Sequence, residues 1–178
     1  MIDELSFKPT GYAYRVDDRV WAGEYPVWEY DGVAGKKELD MFLDFGIDCF
    51  FDLTEKGEMP QYECFLPVNA KRYTMPIPNG CVPASVRRLV DEFKRMDEML
   101  SGNSGKRIYI HCKGGVGRTG TVVACYFVYF KGLPADEAIA EMRRRYAYHG
   151  RSAWMSAPET KGQCDFVAEF ANSYGLYM

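Results

Sequence analysis

Residues 107–123, RIYIHCKGGVGRTGTVV, place one cysteine, four glycines and one arginine between two apolar runs. Three readings compete for this stretch. GVGRTG at 115–120 matches G-x-G-x-x-G, the dinucleotide-binding turn. That turn also needs a second strand ending in an acidic residue ~20 positions on, whereas Asp136, Glu137 and Glu141 fall in a helical pattern. A Walker loop is excluded because G-K-[ST] occurs nowhere in the chain. The second reading is a plain strand-to-helix turn holding an inert thiol. Such a turn needs one or two glycines, and each further one costs backbone entropy.

In the third reading Cys112 is a nucleophile. The backbone N–H groups of Lys113, Gly114, Gly115, Val116, Gly117 and Arg118 can converge on one point, and the following helix adds the positive end of its dipole. A ring of this kind holds a tetrahedral dianion such as phosphate or sulfate, and the same field favours the thiolate form of a cysteine at its centre. Arg118 comes back round the loop to offer two parallel N–H donors to phosphate oxygens. Thr119 is placed to donate a hydroxyl hydrogen bond to the sulfur, easing its later departure. The spacing H-C-x5-R-T meets each of these needs. His111 is expected to stay neutral beneath the loop and orient Cys112.

These residues need a scaffold. RVWAGEYP (19–26) reads as a strand ending in a turn at Pro26, and GKKELDMFLDFGI as a helix stopped by Gly46. IDCFFDL (47–53) and RYTMPI (72–77) read as short strands, with TEKGEMPQ a loop between them and PNGCVP a turn after the second. Leu89, Phe93, Met96 and Leu100 mark an amphipathic helix ending at Gly102, and RIYIHC (107–112) is the next strand. TVVACYFVYF (121–130), apolar on every side, is a helix buried in the middle of the fold. A further helix follows from LPADEAIAEMRRRYAYHG, with its proline in the first turn. The last helix is expected to begin at Ser156, which has capping-box spacing to Glu159, and to stop at Gly175. Strands followed by helices, with no linker or repeat, predict one α/β domain over 1–178: a mostly parallel central sheet flanked by helices.

The bulk numbers are those of a globular chain: 178 residues, 47% hydrophobic and 26% charged. A net charge of −3 argues against nucleic-acid binding but leaves room for a local anion cradle. The longest apolar run is about half of what a bilayer requires, so no membrane span is expected. The N-terminal segment lacks the basic start and apolar core of a secretory signal. Six cysteines without C-x-x-C spacing and only two histidines predict no structural zinc site. Together these point to reduced thiols and a cytoplasmic location.

HCKGGVGRTG resembles the signature loop of the cysteine-based protein phosphatases, and its short length suggests the dual-specificity branch. LTEKGE, PIPNGCVP, HCKGGVGRTGTVVACY and APETKGQCDFV follow one another in an order similar to that of the cyclin-dependent-kinase-associated phosphatases and their small bacterial relatives. The resemblance implies a sheet of about five strands with helices on both sides and the loop at the C-terminal end of the central strand. It implies two-step hydrolysis of a phosphomonoester through a phosphocysteine on Cys112, without metal or cofactor. The partner would be a phosphorylated protein or peptide; Lys113 also resembles phosphatases of inositol phosphates and phosphoinositides.

One residue departs from the pattern. The family places an aspartate on the loop matched here by PIPNGCVP, where it protonates the leaving group and later activates water. Asn79 stands at that general-acid position, and an amide cannot donate the proton. Four explanations remain open: a substitution introduced to slow turnover, service by Asp52, Glu55 or Glu58, a substrate with a good leaving group, or binding of phosphorylated partners without turnover. Several other residues bear on the site. Arg143, Arg144 and Arg145 read as a salt-bridged helix face with Glu141, while Arg151 is a candidate to line the site. Gln163 either places water or caps the last helix. Cys64 and Cys81 are candidates for a disulfide with oxidised Cys112.

Overall fold

In a computed structural model, which describes residues 6–28, 32–102, 105–150 and 156–178, five strands form one sheet. They are β1 (Ala13–Asp17), β2 (Val20–Gly23), β3 (Cys49–Asp52), β4 (Lys71–Thr74) and β5 (Ile108–His111), in spatial order β1-β2-β5-β3-β4. β5 lies at the centre and runs parallel to β2 and β3, β4 runs parallel to β3, and only β1 is antiparallel, paired to β2. The mostly parallel α/β sheet expected from the sequence is therefore present.

Period-two alternation sends the strand residues to two apolar layers. Trp21, Phe50 and Tyr109 face one side, where they pack with Leu39 and Phe42 of α1 (Gly32–Asp44). Ala22, Phe51, Ile108 and Ile110 face the other, covered by α2 (Val86–Ser101), α3 (Gly117–Lys131), α4 (Ala135–Tyr146) and α5 (Lys161–Ser173). Every residue of α3 from Gly117 to Val128 is buried, as its all-round apolar character predicts. Among the described residues no helix is long and apolar enough to cross a membrane.

The structure corrects the sequence reading at both ends of the chain. The antiparallel edge strand β1 was not anticipated; its third and fifth residues are only half-buried, so its pattern is weak. The last helix starts five residues later than expected. Its N-cap is Thr160, whose hydroxyl accepts from Gln163 N at 3.2 Å while the Gln163 side chain bonds back to Thr160 N, so the capping box is Thr160–Gln163 and not Ser156–Glu159. It ends at Ser173, and a short 3-10 turn spans Tyr174–Tyr177 across the expected stop at Gly175.

Strand register fixes where the loops meet. Gly23 and Asp52 both lie level with His111, and Thr74 lies level with Asp52, so the four parallel strands end together. The loops that leave this edge converge, as ligand-binding loops of parallel α/β sheets do.

Candidate active site

Cys112 follows the last residue of the central strand, and its side chain is 3% exposed at the floor of a pocket of about 210 Å³. Trp28, Asn79, Gly80, Lys113, Gly114, Val116, Gly117, Arg118 and Glu159 line the rest of it. That volume is below the ~300–1,000 Å³ of sites that engulf a drug-sized ligand, and it suits a phosphoryl group on a short stem.

The floor is lined by backbone donors. Helix α3 begins at Gly117, and its N-cap, Val116, provides no side-chain hydrogen bond to the first-turn amides. Those amides and the positive end of the helix dipole are left to the pocket. Gly115 has φ +70°, and a Cβ there would lie 2.4 Å from Gly23 C, so only glycine permits the loop to press on the end of β2. Tyr25 N donates to Lys113 O at 3.0 Å and fixes the other limb. Two expectations change here. Gly115 does not line the pocket but packs against Gly23 and Glu24. Thr119 does not make the expected contact to the sulfur: its Oγ1 is buried without a hydrogen-bond partner.

Arg118, 3% exposed, is held in place before any substrate arrives. Its Nη1 and Nη2 donate to Glu58 Oε2 at 2.7 Å and Oε1 at 2.6 Å, and Nη1 also donates to Ile77 O at 3.1 Å. Burial alone would lower the guanidinium pKa, but the Glu58 hydrogen bonds and the adjoining Cys112 and Glu58 charges outweigh it and hold the group above the ordinary arginine value. The same hydrogen bonds from Arg118 hold the Glu58 carboxyl below the usual carboxylate range, so Glu58 is an anion that orients Arg118 and not a proton donor near neutrality. Asp52 is fully buried and committed elsewhere: Oδ1 accepts from Thr54 N and Oγ1, each at 2.7 Å, and Oδ2 from Arg72 Nε and Nη2 at 2.9 and 2.6 Å. Glu55 is exposed, and neither it nor Asp52 lines the pocket.

His111 lies beneath the loop, fully buried, with Nε2 2.8 Å from the Tyr62 hydroxyl. Burial pushes its pKa down from 6.5 to about 4, so it is neutral at physiological pH. The unfolded chain therefore binds more protons between those values, and stability falls as pH drops through that window, by up to roughly 3 kcal/mol. Urea unfolding at pH 7 and pH 4.5 measures this; His111→Gln should lose markedly less stability between the two pH values than the unsubstituted protein does.

Asn79 and Gly80 form the tip of a turn closed by Cys81 N donating to Pro78 O at 2.9 Å, with Gly80 at φ +74°. Arg118 holds one limb through Ile77 O, and Gln163 Nε2 holds the other by donating to Cys81 O at 3.2 Å. Fully buried Gln163 thus caps α5 and also ties the Asn79 turn down. Arg144 and Arg145 pair with Glu141, each at 2.7 Å, and Arg143 Nε donates to Ala157 O at 2.9 Å, so none of the three lines the pocket. Arg151 lies outside the described residues. Cys64 and Cys81 are exposed free thiols that do not line the pocket. Sequence reasoning missed three lining residues. Trp28 has no local signal, Gly80 reads only as a turn residue beside Asn79, and Glu159 reads as part of a helix cap.

Comparison with known proteins bears directly on this geometry. Residues 32–164 match the family model described as Swiss Army Knife protein, DSP-PTPase phosphatase domain. Over 174 residues the chain is 27% identical to putative tyrosine phosphatase 197R of Invertebrate iridescent virus 6, covering 93% of this chain and 58% of that protein. It spans less than two thirds of the length of the curated relatives it matches first, down to 18% of tyrosine-protein phosphatase cdcA of Emericella nidulans. The crystal structure of Tk-PTP in the active form is similar, with a TM-score of 0.74, 28% identity and coverage of 91% of this chain and 97% of that one. Kinase associated phosphatase shares the fold at a TM-score of 0.74 and 20% identity, covering 89% of each chain.

Proposed function

The chain belongs to the DSP-PTPase phosphatase domain family, and on that footing we propose that it hydrolyses phosphomonoesters through a phosphocysteine formed on Cys112. The observation that carries this reading is the meeting of Cys112, the uncapped start of α3 and a pre-oriented Arg118 in one small pocket. The substrate's phosphoryl oxygens take the amides of residues 113–118 that reach the pocket, and the Arg118 fork spans two of them. The Cys112 sulfur then attacks phosphorus in line with the leaving oxygen, and water later releases phosphate. Charge stabilisation by preorganised donors supplies most of such a rate enhancement. The cytoplasmic setting read from the sequence is part of this proposal.

Phosphorylated side chains of a protein or peptide are the substrate class. The small pocket accepts a phosphoryl group and its stem while the rest of the partner stays outside. We read residues 1–178 as one domain, since both apolar layers share the one sheet.

A second reading is favoured by one observation: the exposed turn at the general-acid position presents the amide of Asn79. On that reading the protein recognises phosphate without turnover. Pre-steady-state assay with p-nitrophenyl phosphate separates the two. The enzyme releases a burst of p-nitrophenol stoichiometric with Cys112; a recognition module binds and releases none. Asn79→Asp is expected to raise kcat/KM for phenyl phosphate ~10-fold or more and to change p-nitrophenyl phosphate little, because only the poorer leaving group needs the proton. No change with either substrate would remove residue 79 from the acid position.

A further inference from the structure

The proposed chemistry leaves a proton without a donor, and the described residues that line the pocket include a single carboxylate, Glu159. Resting on the phosphocysteine reading, we infer that Glu159 is the proton-transfer residue of this site and takes over what Asn79 cannot do.

Glu159 is brought there by packing. The segment before α5 lies on the first turn of α3, where Gly117 and Gly120 present no side chains. A Cβ on Gly120 would stand 3.2 Å from the Ala157 Cβ, and one on Gly117 would stand 2.8 Å from Glu159 Oε2 and 2.9 Å from Gln163 Nε2. The carboxylate thus rests against the same glycine that lines the anion cradle. Its backbone is fixed twice: Gln163 Oε1 accepts from Glu159 N at 2.9 Å, and Arg143 secures Ala157 O two residues earlier. Among the described residues no hydrogen bond or ion pair occupies the Glu159 carboxylate, in contrast to Glu58 and Asp52. The charged and titratable groups facing it across the pocket are Lys113 and Arg118 and the Cys112 sulfur.

The steps balance. The Cys112 thiolate forms the S–P bond, the P–O bond to the leaving group breaks with its electron pair on oxygen, and the Glu159 carboxyl proton goes to that oxygen. In the second step the Glu159 carboxylate takes a proton from water as the water oxygen bonds phosphorus, and the S–P electron pair returns to sulfur. The thiolate and the carboxylic acid are both regenerated.

Glu159→Gln, compared with the unsubstituted protein on p-nitrophenyl and phenyl phosphate, tests this. Because kcat/KM reports steps up to phosphorylation of the cysteine, it is expected to fall roughly 10²–10³-fold for phenyl phosphate and less than ~10-fold for p-nitrophenyl phosphate. The phenol burst from p-nitrophenyl phosphate should persist, which also shows that the variant is folded, while the rate after the burst drops equally with both substrates. The descending high-pH limb of kcat/KM for phenyl phosphate should vanish. An equal loss of kcat/KM on both substrates, no loss of kcat/KM on either, or a retained limb overturns the assignment. Absence of any burst from the unsubstituted protein overturns the phosphocysteine reading and the assignment with it, so the two failures are told apart by which protein fails.

Discussion

Cys112→Ser is expected to reduce turnover of aryl phosphates by on the order of 10⁵-fold or more, the scale at which loss of a nucleophile removes all covalent catalysis. Serine keeps the size of cysteine, so the loop at the end of β5 and the uncapped start of α3 should keep their shape. Its hydroxyl does not ionise near neutrality, so it cannot attack without a base. Among the described residues His111 is beneath the loop, bonded to Tyr62, Glu58 is committed to Arg118, and Glu159 is assigned to the leaving oxygen and to water and not to residue 112. Binding should survive and tighten, because a neutral hydroxyl no longer repels a phosphate dianion. Turnover is measured with p-nitrophenyl phosphate and binding by calorimetry with a phosphotyrosine peptide. Retention of more than a hundredth of the activity would place the nucleophile elsewhere.

The second large effect concerns Arg118. Arg118→Lys keeps the charge but loses the planar fork, and kcat/KM should fall by roughly 10³–10⁵-fold, the range for removing an arginine that bears on a transferring phosphoryl group. The fork has two duties here. Nη1 and Nη2 both reach Glu58, and Nη1 also supports Ile77 O beneath the Asn79 turn. An ammonium cannot span both Glu58 oxygens and a carbonyl while facing phosphate. The loss should therefore appear in kcat as well as KM, since on the proposed mechanism the guanidinium meets the equatorial oxygens of the transition state. Thermal unfolding of the same variant checks that the pocket has not collapsed. If kcat is unchanged and only KM rises, Arg118 serves ground-state binding alone.

How legible the site was in the sequence depends on chain distance. The proposed nucleophile, the loop and the arginine are contiguous from His111 to Thr119, so their types and spacing could be read directly, and β5 and α3 had to flank them. The partners that orient them are not contiguous. Glu58 meets Arg118 across 60 residues because β3 and β5 are neighbours ending level, a fact of strand order that no local pattern encodes. Trp28 reaches the pocket from the loop after β2 for the same reason. Glu159 was misassigned by a genuine ambiguity. Ser156–Glu159 and Thr160–Gln163 have the same capping spacing, and the second prevails because residues 157–159 pack on Gly117 and Gly120 while Gln163 satisfies both Glu159 N and Thr160 N. The edge strand β1 was missed because Tyr14 and Val16, alternating with Arg15 and Asp17, make a run of only five residues.

The central claim is covalent, and it is met most directly by acid-quenching the protein within its first turnover of an aryl phosphate and mapping the modified residue by mass spectrometry. The account predicts one phosphoryl group per chain, carried on the Cys112 sulfur, appearing as fast as the phenol and disappearing as inorganic phosphate is formed. Phosphate bound to any other side chain, or steady release of phenol with Cys112 unmodified at every time point, would contradict it.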